Sequence, residues 1–447
     1  MNEAKQHRDT ERGRHGVVPL PHPLERFPEW INILEAHRDT SAGDFALRYR
    51  DKRDWPVREI AEQIHCYPRA EEKLGSLHRR GMIYTREALE QASGYAAATF
   101  RATGWAATKV ADLTGGLGID SAAWALSGAH VTYYEQNAAL AGIARHNHQL
   151  LGIGGQVRYY IGDAMELLAD RKAGSGPDSP GNVPNPDLIY MDPSRRASGR
   201  RVRRLDEYQP RVPDHLALIR SSAGRYLIKL SPMLDTADLM RQLPDVRRFL
   251  AVSVDGEVKE LLADCQPDQT PDSEPGNIAG KEAVLLDRYG SVHFHAVEGD
   301  HRDSAAQRED SGTSTPAGTP VWKRPAGEYL FEADPAIFKM RLINEVAQKF
   351  GLRRIHPEIG YLTGGGPVPD FPGRTYHVRQ IHPFKPKKIR KWLEENDLRR
   401  VHIHRRGFPL TVEQLYKKLA CTMGEGAHLI ATMDDRGDLI IVVADMV

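Results

Sequence analysis

The sequence predicts an α/β protein: a parallel sheet covered on both faces, with helices ahead of it and small mixed units behind it. Three observations carry this. From Lys109, short apolar runs alternate with amphipathic stretches, and strands alternating with helices build parallel sheets. Residues 24–100 place apolar residues at three- and four-residue steps, which is a helical period. From Glu328 a helix, a basic stretch and a terminal hairpin pattern follow.

The 447 residues are 40% hydrophobic and 27% charged. That suffices for real cores and excludes a wholly disordered chain, a collagen and a coiled coil. No apolar run approaches the roughly 18 residues of a membrane span, and the N-terminus lacks the apolar core of a secretory signal. Cys66, Cys265 and Cys421 stand far apart with no CxxC, so neither a disulfide framework nor a zinc pattern is expected. The expectation is a soluble, cytoplasmic protein without a membrane partner. Net charge is +1, but its distribution is uneven. Arg374 to Arg406 holds eleven Lys/Arg against three Asp/Glu, Asp264 to Gly318 holds four against eleven, and Arg195 to Arg204 holds six arginines. Such basic patches suit a polyanion.

Taken in order, residues 1–20 are polar and read as frayed. LERFPEWINILEAH and PVREIAEQIHCYPRAEEKLGSLHRR read as helices, and TREALEQASGYAAATFRA as one more, with Thr85 near its start. TKVADL, AHVTYYE, VRYYIGD, DLIYMD, RYLIKL and RRFLAVSV read as strands. DSAAWALSG, AALAGIARHNHQLLG and PDHLALIRSSA lie between them as helices. Residues 173–186 form a turn-rich loop; 266–280 and 299–320 are polar, low in aromatics and read as flexible. Beyond Glu328, FEADPAIFKMRLINEVAQKFGL reads as a helix after a turn, and the chain closes on a hairpin around Asp435–Gly437.

The chemistry lies in VADLTGGLGIDS, residues 110–121. A strand runs into a glycine turn and then a helix. Gly116 and Gly118 let the backbone approach a ligand closely, and the helix start favours an anion. A dinucleotide site wants a third glycine three residues after Gly118; Ser121 stands there. Asp112 at the strand end would repel a pyrophosphate but suits the ammonium of an amino acid, which favours S-adenosyl-L-methionine over NAD. Glu135, 23 residues on, ends the next strand and can accept two ribose hydroxyls. Asp163 ends the third strand, within reach of an adenine amine, and Asp192 ends the fourth. Strand-end acids also serve as turn and cap residues. Four in register with a glycine turn fit the carboxyl edge at which open α/β sheets bind ligands.

DLTGGLGID, YYEQN and YMDPSRR resemble the first, second and fourth motifs of class I S-adenosylmethionine-dependent methyltransferases. With ALEQASGYAAATFRA, LIKLSPMLD and SVDGEVKELL, most of the chain resembles a bacterial group with a ferredoxin-like domain and a C-terminal THUMP-like domain. The resemblance implies a Rossmann-like class I methyltransferase core with an N-terminal helical region and small α+β C-terminal domains. The implied division is 1–100 helical, 101–300 methyltransferase, 301–327 flexible linker, 328–375 ferredoxin-like and 376–447 THUMP-like. It makes Asp112, Gly116, Gly118, Glu135 and Asp163 cofactor-binding, and places Asp192 and Pro193 at the acceptor. Related amino-methyltransferases carry a second proline and an aromatic after the acid; here Ser194, Arg195 and Arg196 follow.

Two basic sets are candidates for substrate. Arg195, Arg196 and Arg200, with Arg201, Arg203 and Arg204, suit phosphates through their bidentate forks; the alternative is a solvated loop paired to Asp206 and Glu207. Lys387, Lys388 and Arg390, with Lys385, Lys391, Trp392, Phe384 and Tyr376 nearby, mix cations and aromatics as nucleic-acid binders do. The alternative there is a basic helix with Trp392 in its core. His293/His295 and His402/His404 stand two apart with no third ligand spaced to help, so no metal site is expected. Met233 reads as core. The leading function is methylation of RNA. The others are a methyltransferase on a protein or small molecule, a non-catalytic RNA-binding protein that keeps the fold and, more distantly, a nucleotide-dependent oxidoreductase.

Overall fold

The computed structural model describes residues 18–173, 185–197, 200–201, 204–267, 280–299 and 329–447. The linker expected at 301–327 and nearly all of the frayed N-terminus lie outside the described residues, as does most of the loops at 173–186 and 266–280. The chain divides into two compact units. The first holds 1–254, 259–279 and 286–292; the second holds 255–258, 280–285 and 293–447.

Five helices lead: α1 (Phe27–Ala36), α2 (Ala42–Tyr49), α3 (Val57–Leu74), α4 (Arg86–Gln91) and α5 (Tyr95–Gly104). They bury Phe27, Trp30, Leu34, Phe45, Ile60, Ile64 and Leu74, the apolar stripe of the helical period. The single helix expected from Thr85 is two. The Thr85 hydroxyl caps α4 by accepting from Ala88 N at 3.3 Å, and the chain then turns at Ala92–Gly94. This break delivers the buried Ser93 hydroxyl to the Arg101 guanidinium at 2.7 Å.

The strands that follow are β1 (Lys109–Asp112), β2 (His130–Glu135), β3 (Val157–Ile161), β4 (Leu188–Met191), the short pair β5 (Arg196–Ala197) and β6 (Arg200–Arg201), and β7 (Tyr226–Leu230). Then come β8 (Val246–Val254), β9 (Glu257–Cys265), β10 (Gly280–Leu286) and β11 (Val292–Val297). Helices α6 (Ile119–Leu126), α7 (Ala138–Leu150), α8 (Ala164–Lys172), α9 (Leu216–Ser222) and α10 (Thr236–Gln242) intervene. Nine strands form one sheet in the order β11-β10-β8-β9-β7-β4-β1-β2-β3. From β7 to β3 every pairing is parallel, while β9 runs antiparallel to β7. The chain reverses from β8 into β9 at Asp255 and Gly256, with φ of 48° and 79°. The expected strand runs all appear; β9, β10 and β11 are additional to them.

The second unit adds β12 (Tyr329–Ala333), β13 (Arg353–His356), β14 (Ile359–Gly364), β15 (Gly373–Pro383), β16 (Arg400–Arg405), β17 (Thr422–Met433) and β18 (Leu439–Met446). Its helices are α11 (Pro335–Lys339), α12 (Ile343–Lys349), α13 (Pro386–Glu395) and α14 (Val412–Leu419). The seven strands make one sheet, β13-β14-β12-β15-β18-β17-β16. The boundary expected between 375 and 376 falls inside β15, which pairs with β12 along one edge and β18 along the other. The terminal hairpin joins β17 and β18 as expected. One face of this sheet packs Val401, Ile403, Leu429 and Val443 with Ile389 and Leu393 of α13 and Leu415 and Leu419 of α14.

Arg101 of α5 is fully buried and ion-paired to Asp120 of α6 and Glu260 of β9. Removing one partner of a buried ion pair leaves the other charge uncompensated, at a cost of about 3–5 kcal/mol. Arg101→Met should therefore lower unfolding free energy in urea by about that amount. A loss under about 1 kcal/mol would show that the two carboxylates need no buried cation.

Candidate active site

The glycine turn is held from below. Gly116 and Gly118 take φ of 55° and 77°, a region that L side chains avoid. A Cβ on Gly115 would lie 2.2 Å from the Tyr133 ring, and one on Gly118 would lie 2.6 Å from His148 Nε2. The Tyr133 hydroxyl donates to Gly116 O at 2.6 Å. His148 Nε2 stands 2.8 Å from Gly118 O and Nδ1 stands 2.8 Å from the Tyr159 hydroxyl. A carbonyl only accepts, so Nε2 carries the proton. Burial pushes the His148 pKa down to about 4, which leaves the ring neutral at pH 7. A Cβ on Gly116 would meet only Thr114 O, at 3.7 Å, so the backbone there is open to a ligand.

Asp112 and Glu135 accept hydrogen bonds from this turn, and Asp192 donates its backbone N–H to it. Asp112 is 1% exposed; it accepts from Thr114 N at 3.1 Å and from the Ser121 hydroxyl at 2.6 Å. Burial pushes its carboxyl up to about 7, against the lowering effect of those two bonds. Glu135 accepts from Gly116 N at 2.9 Å and Asn137 N at 2.8 Å, so its carboxylate is fixed beside the loop. Asp163 caps α8 through Met165 N and Glu166 N and accepts from Gln136 Nε2 at 2.8 Å. The backbone N–H of Asp192 donates to Thr114 Oγ1 at 2.7 Å. Thr114 thus links Asp112 and Asp192, Gly116 is bonded to Glu135, and Asp163 is bonded to Gln136, the residue after Glu135. An open glycine backbone with the Glu135 carboxylate fixed beside it suits S-adenosylmethionine.

Around Asp192 stand residues that the sequence did not single out. Lys229 Nζ lies 2.5 Å from Asp192 Oδ2 and 3.0 Å from Ser93 Oγ. Ser93 donates to Asp120 at 2.9 Å, and the Tyr190 hydroxyl donates to Asp120 at 3.0 Å. Burial works against the Lys229 charge, but Asp192 and Asp120 outweigh it and raise its pKa. Burial likewise opposes the Asp120 charge, yet Arg101 and Lys229 hold it below the ordinary range. The available signal was a lysine inside the apolar run YLIKL and an aspartate directly after the glycine turn.

Pro193 is buried, and Ser194 pairs with Gln209 through two backbone bonds of 2.7 and 3.0 Å. Arg195 is exposed and reaches Ser231 Oγ at 3.2 Å. The side chains of Arg196 and Arg200 lie outside the described residues. Arg204 pairs with Asp206 at 2.8 Å, the alternative reading for that arginine. Met233, expected in the core, is 82% exposed: it follows the end of β7 in a loop and not a strand.

In the second unit, Lys387, Lys388 and Arg390 are exposed on α13, and Arg390 donates to Lys418 O at 3.0 Å. The neighbouring aromatics are committed to packing. Tyr376 is buried, Phe384 sets its edge on Phe408 with centroids 4.9 Å apart, and Trp392 lies 4.8 Å from His382. The cations are free of that core, while the aromatics build it. His402 and His404 acquire a third histidine, His428 of β17, stacked on both with centroids 5.1 Å apart. His404 Nε2 and His428 Nδ1 are 2.8 Å apart. Among the described residues no group of three His, Cys, Asp or Glu is placed to hold a metal ion, and no helix is long and apolar enough to cross a membrane.

Comparison with known proteins identifies relatives of the whole chain. Residues 373–445 match the family model described as THUMP domain-like. Over 402 residues the chain is 25% identical to proteins described as uncharacterized S-adenosylmethionine-dependent methyltransferases in two strains of Mycobacterium tuberculosis, CDC 1551 / Oshkosh and ATCC 25618 / H37Rv. The match spans 89% of this chain and 97% of theirs. A Porphyromonas gingivalis W83 protein assigned as a methyltransferase, known from its crystal structure, superposes with a TM-score of 0.74 at 26% identity. That match covers 95% of this chain and 99% of that one. The core is a Rossmann-like class I methyltransferase fold. The chain is an S-adenosylmethionine-dependent methyltransferase with a THUMP domain-like segment near its C-terminus.

An ammonium placed on Asp112 favours its ionised form, whereas burial in the free protein favours the neutral form. Cofactor binding should then release a proton below pH 7. Affinity for S-adenosylhomocysteine should fall by up to about tenfold per pH unit beneath that value, and Asp112→Asn should remove the dependence. Calorimetry in buffers of unlike ionisation heat counts the proton. An affinity that stays flat from about pH 5.5 to 8 would place the ammonium elsewhere.

Proposed function

We propose that this enzyme methylates RNA, the basic face of its second unit docking the strand. The observation that carries the reading is the set of exposed cations on α13, Lys387, Lys388 and Arg390, within the THUMP domain-like segment. Arg195, exposed beside Asp192, supports a polyanion at the acceptor as well. When bound, S-adenosylmethionine supplies an electrophilic methyl on a sulfonium. The chain's share of the work is then to bind, orient and exclude water. In this reading Asp112 takes the ammonium, the Gly116 and Gly118 backbone admits the amino-acid end, Glu135 takes the ribose hydroxyls and Asp163 the adenine amine. Asp192 and Pro193 face the acceptor.

Reversing Lys387 and Lys388 together to Glu should weaken RNA binding at least tenfold. It should also flatten the plot of log affinity against log salt by about 0.7 for each phosphate no longer neutralised, on a single strand. Binding of S-adenosylhomocysteine should not change. Filter binding across a salt series measures both quantities. Full-length protein with no salt-dependent RNA binding at about 100 mM salt would turn the search to a protein acceptor.

A further inference from the structure

We infer that the atom methylated is a hydroxyl oxygen, in RNA the ribose 2′-hydroxyl, and that Lys229 and Asp192 act on it as a pair. The inference rests on the RNA reading above and narrows it. Its geometric basis is the carboxyl edge of the sheet. β4 and β7 are parallel with Met191 beside Ile228, so Asp192, just past the end of β4, lies beside Lys229 of β7. Their side chains meet at 2.5 Å.

The groups facing Lys229 are Asp192, Asp120 from α6, Glu260 from β9 and Arg101 from α5. Lys73 from α3 feels Lys229 in turn; burial first, then Lys229, brings its own pKa down to about 8. The carboxylates prevail over burial and Arg101, so Lys229 remains an ammonium at neutral pH. A fixed ammonium at the acceptor discriminates between nucleophiles. A neutral amine gains positive charge as it attacks a sulfonium methyl, and an adjacent cation opposes that. A hydroxyl loses its proton and gains negative charge on oxygen, which the same cation stabilises.

Two further observations agree. No aromatic follows Pro193 to stack a base: Ser194 is tied to Gln209, and Arg195 extends to Ser231. Methylation at a pyrimidine carbon through a thiolate has no donor, since all three cysteines are buried and burial pushes the thiols of Cys66, Cys265 and Cys421 up.

The step balances within the named groups. The hydroxyl proton passes to the Asp192 carboxylate and from there to water. The oxygen lone pair forms the O–CH3 bond as the S–CH3 bond breaks, its electron pair remaining on sulfur. Lys229 keeps its protons throughout and holds the oxygen's developing charge.

The test incubates full-length protein and tritium-methyl S-adenosylmethionine with RNA from cells that lack the protein, then digests the RNA to nucleosides. Label should co-elute with 2′-O-methylnucleosides and survive alkali in undigested dinucleotides. Label in a base-methylated nucleoside would overturn the hydroxyl assignment and leave the RNA reading standing. Label absent from RNA would remove both. Lys229→Met should lower kcat at least a hundredfold with the dissociation constant for S-adenosylhomocysteine unchanged; that binding also reports folding. Lys229→Arg, which keeps the charge against Asp192, should fold and retain a measurable part of the rate. A Lys229→Met enzyme that binds S-adenosylhomocysteine and transfers at the wild-type rate would overturn the pairing.

Discussion

The guanidinium of Arg101 is the constraint around which the first unit is arranged. A fully buried guanidinium has five donors to satisfy and no water to do it. Asp120 of α6, Glu260 of β9 and Ser93 of the α4–α5 turn answer its two terminal nitrogens, while Nε finds no hydrogen-bond partner. To bring Ser93 there, the chain must break between α4 and α5; to bring Asp120, α6 must start where it does. The same Ser93 and Asp120 then serve Lys229. The helical region and the surroundings of Asp192 therefore share one set of charges.

The glycine turn obeys a second constraint. Its carbonyls are held by a tyrosine hydroxyl and an uncharged imidazole, and its amide at Gly116 by a carboxylate. Ser121 occupies the place where a dinucleotide site needs glycine, and it uses its hydroxyl on Asp112. A residue that looks like a defect in one motif is thus a working part of another. Thr114 extends the loop to Asp192 through its side chain.

Much of this was legible in the sequence because it is local. Asp112, Glu135, Asp163 and Asp192 each end an apolar run, and a sheet of known handedness gathers such ends at one edge. Lys229 was not legible. Tyr226, Leu227, Ile228 and Leu230 around it are buried, and its partners lie 37 and 136 residues away. His428 escaped notice for the same reason, standing 24 residues from the histidine it touches. Trp392, Phe384 and Tyr376 show a different limit. Composition gives an aromatic beside a cation, but only packing tells whether the ring faces a base or a core. Met233 errs in the opposite direction, an apolar residue that the loop after β7 leaves in solvent.

The continuity of β15 has a consequence for how such a protein can be assembled over evolutionary time. The THUMP domain-like segment begins at Gly373, the first residue of a strand whose first five residues are already paired to β12. A copy of the segment transferred alone would carry that flank bare, and an unpaired strand flank is a template for joining another chain. The three strands ahead of it act as a guard for that flank. A protein that carries the segment without β12 must therefore cover the exposed flank by some other means.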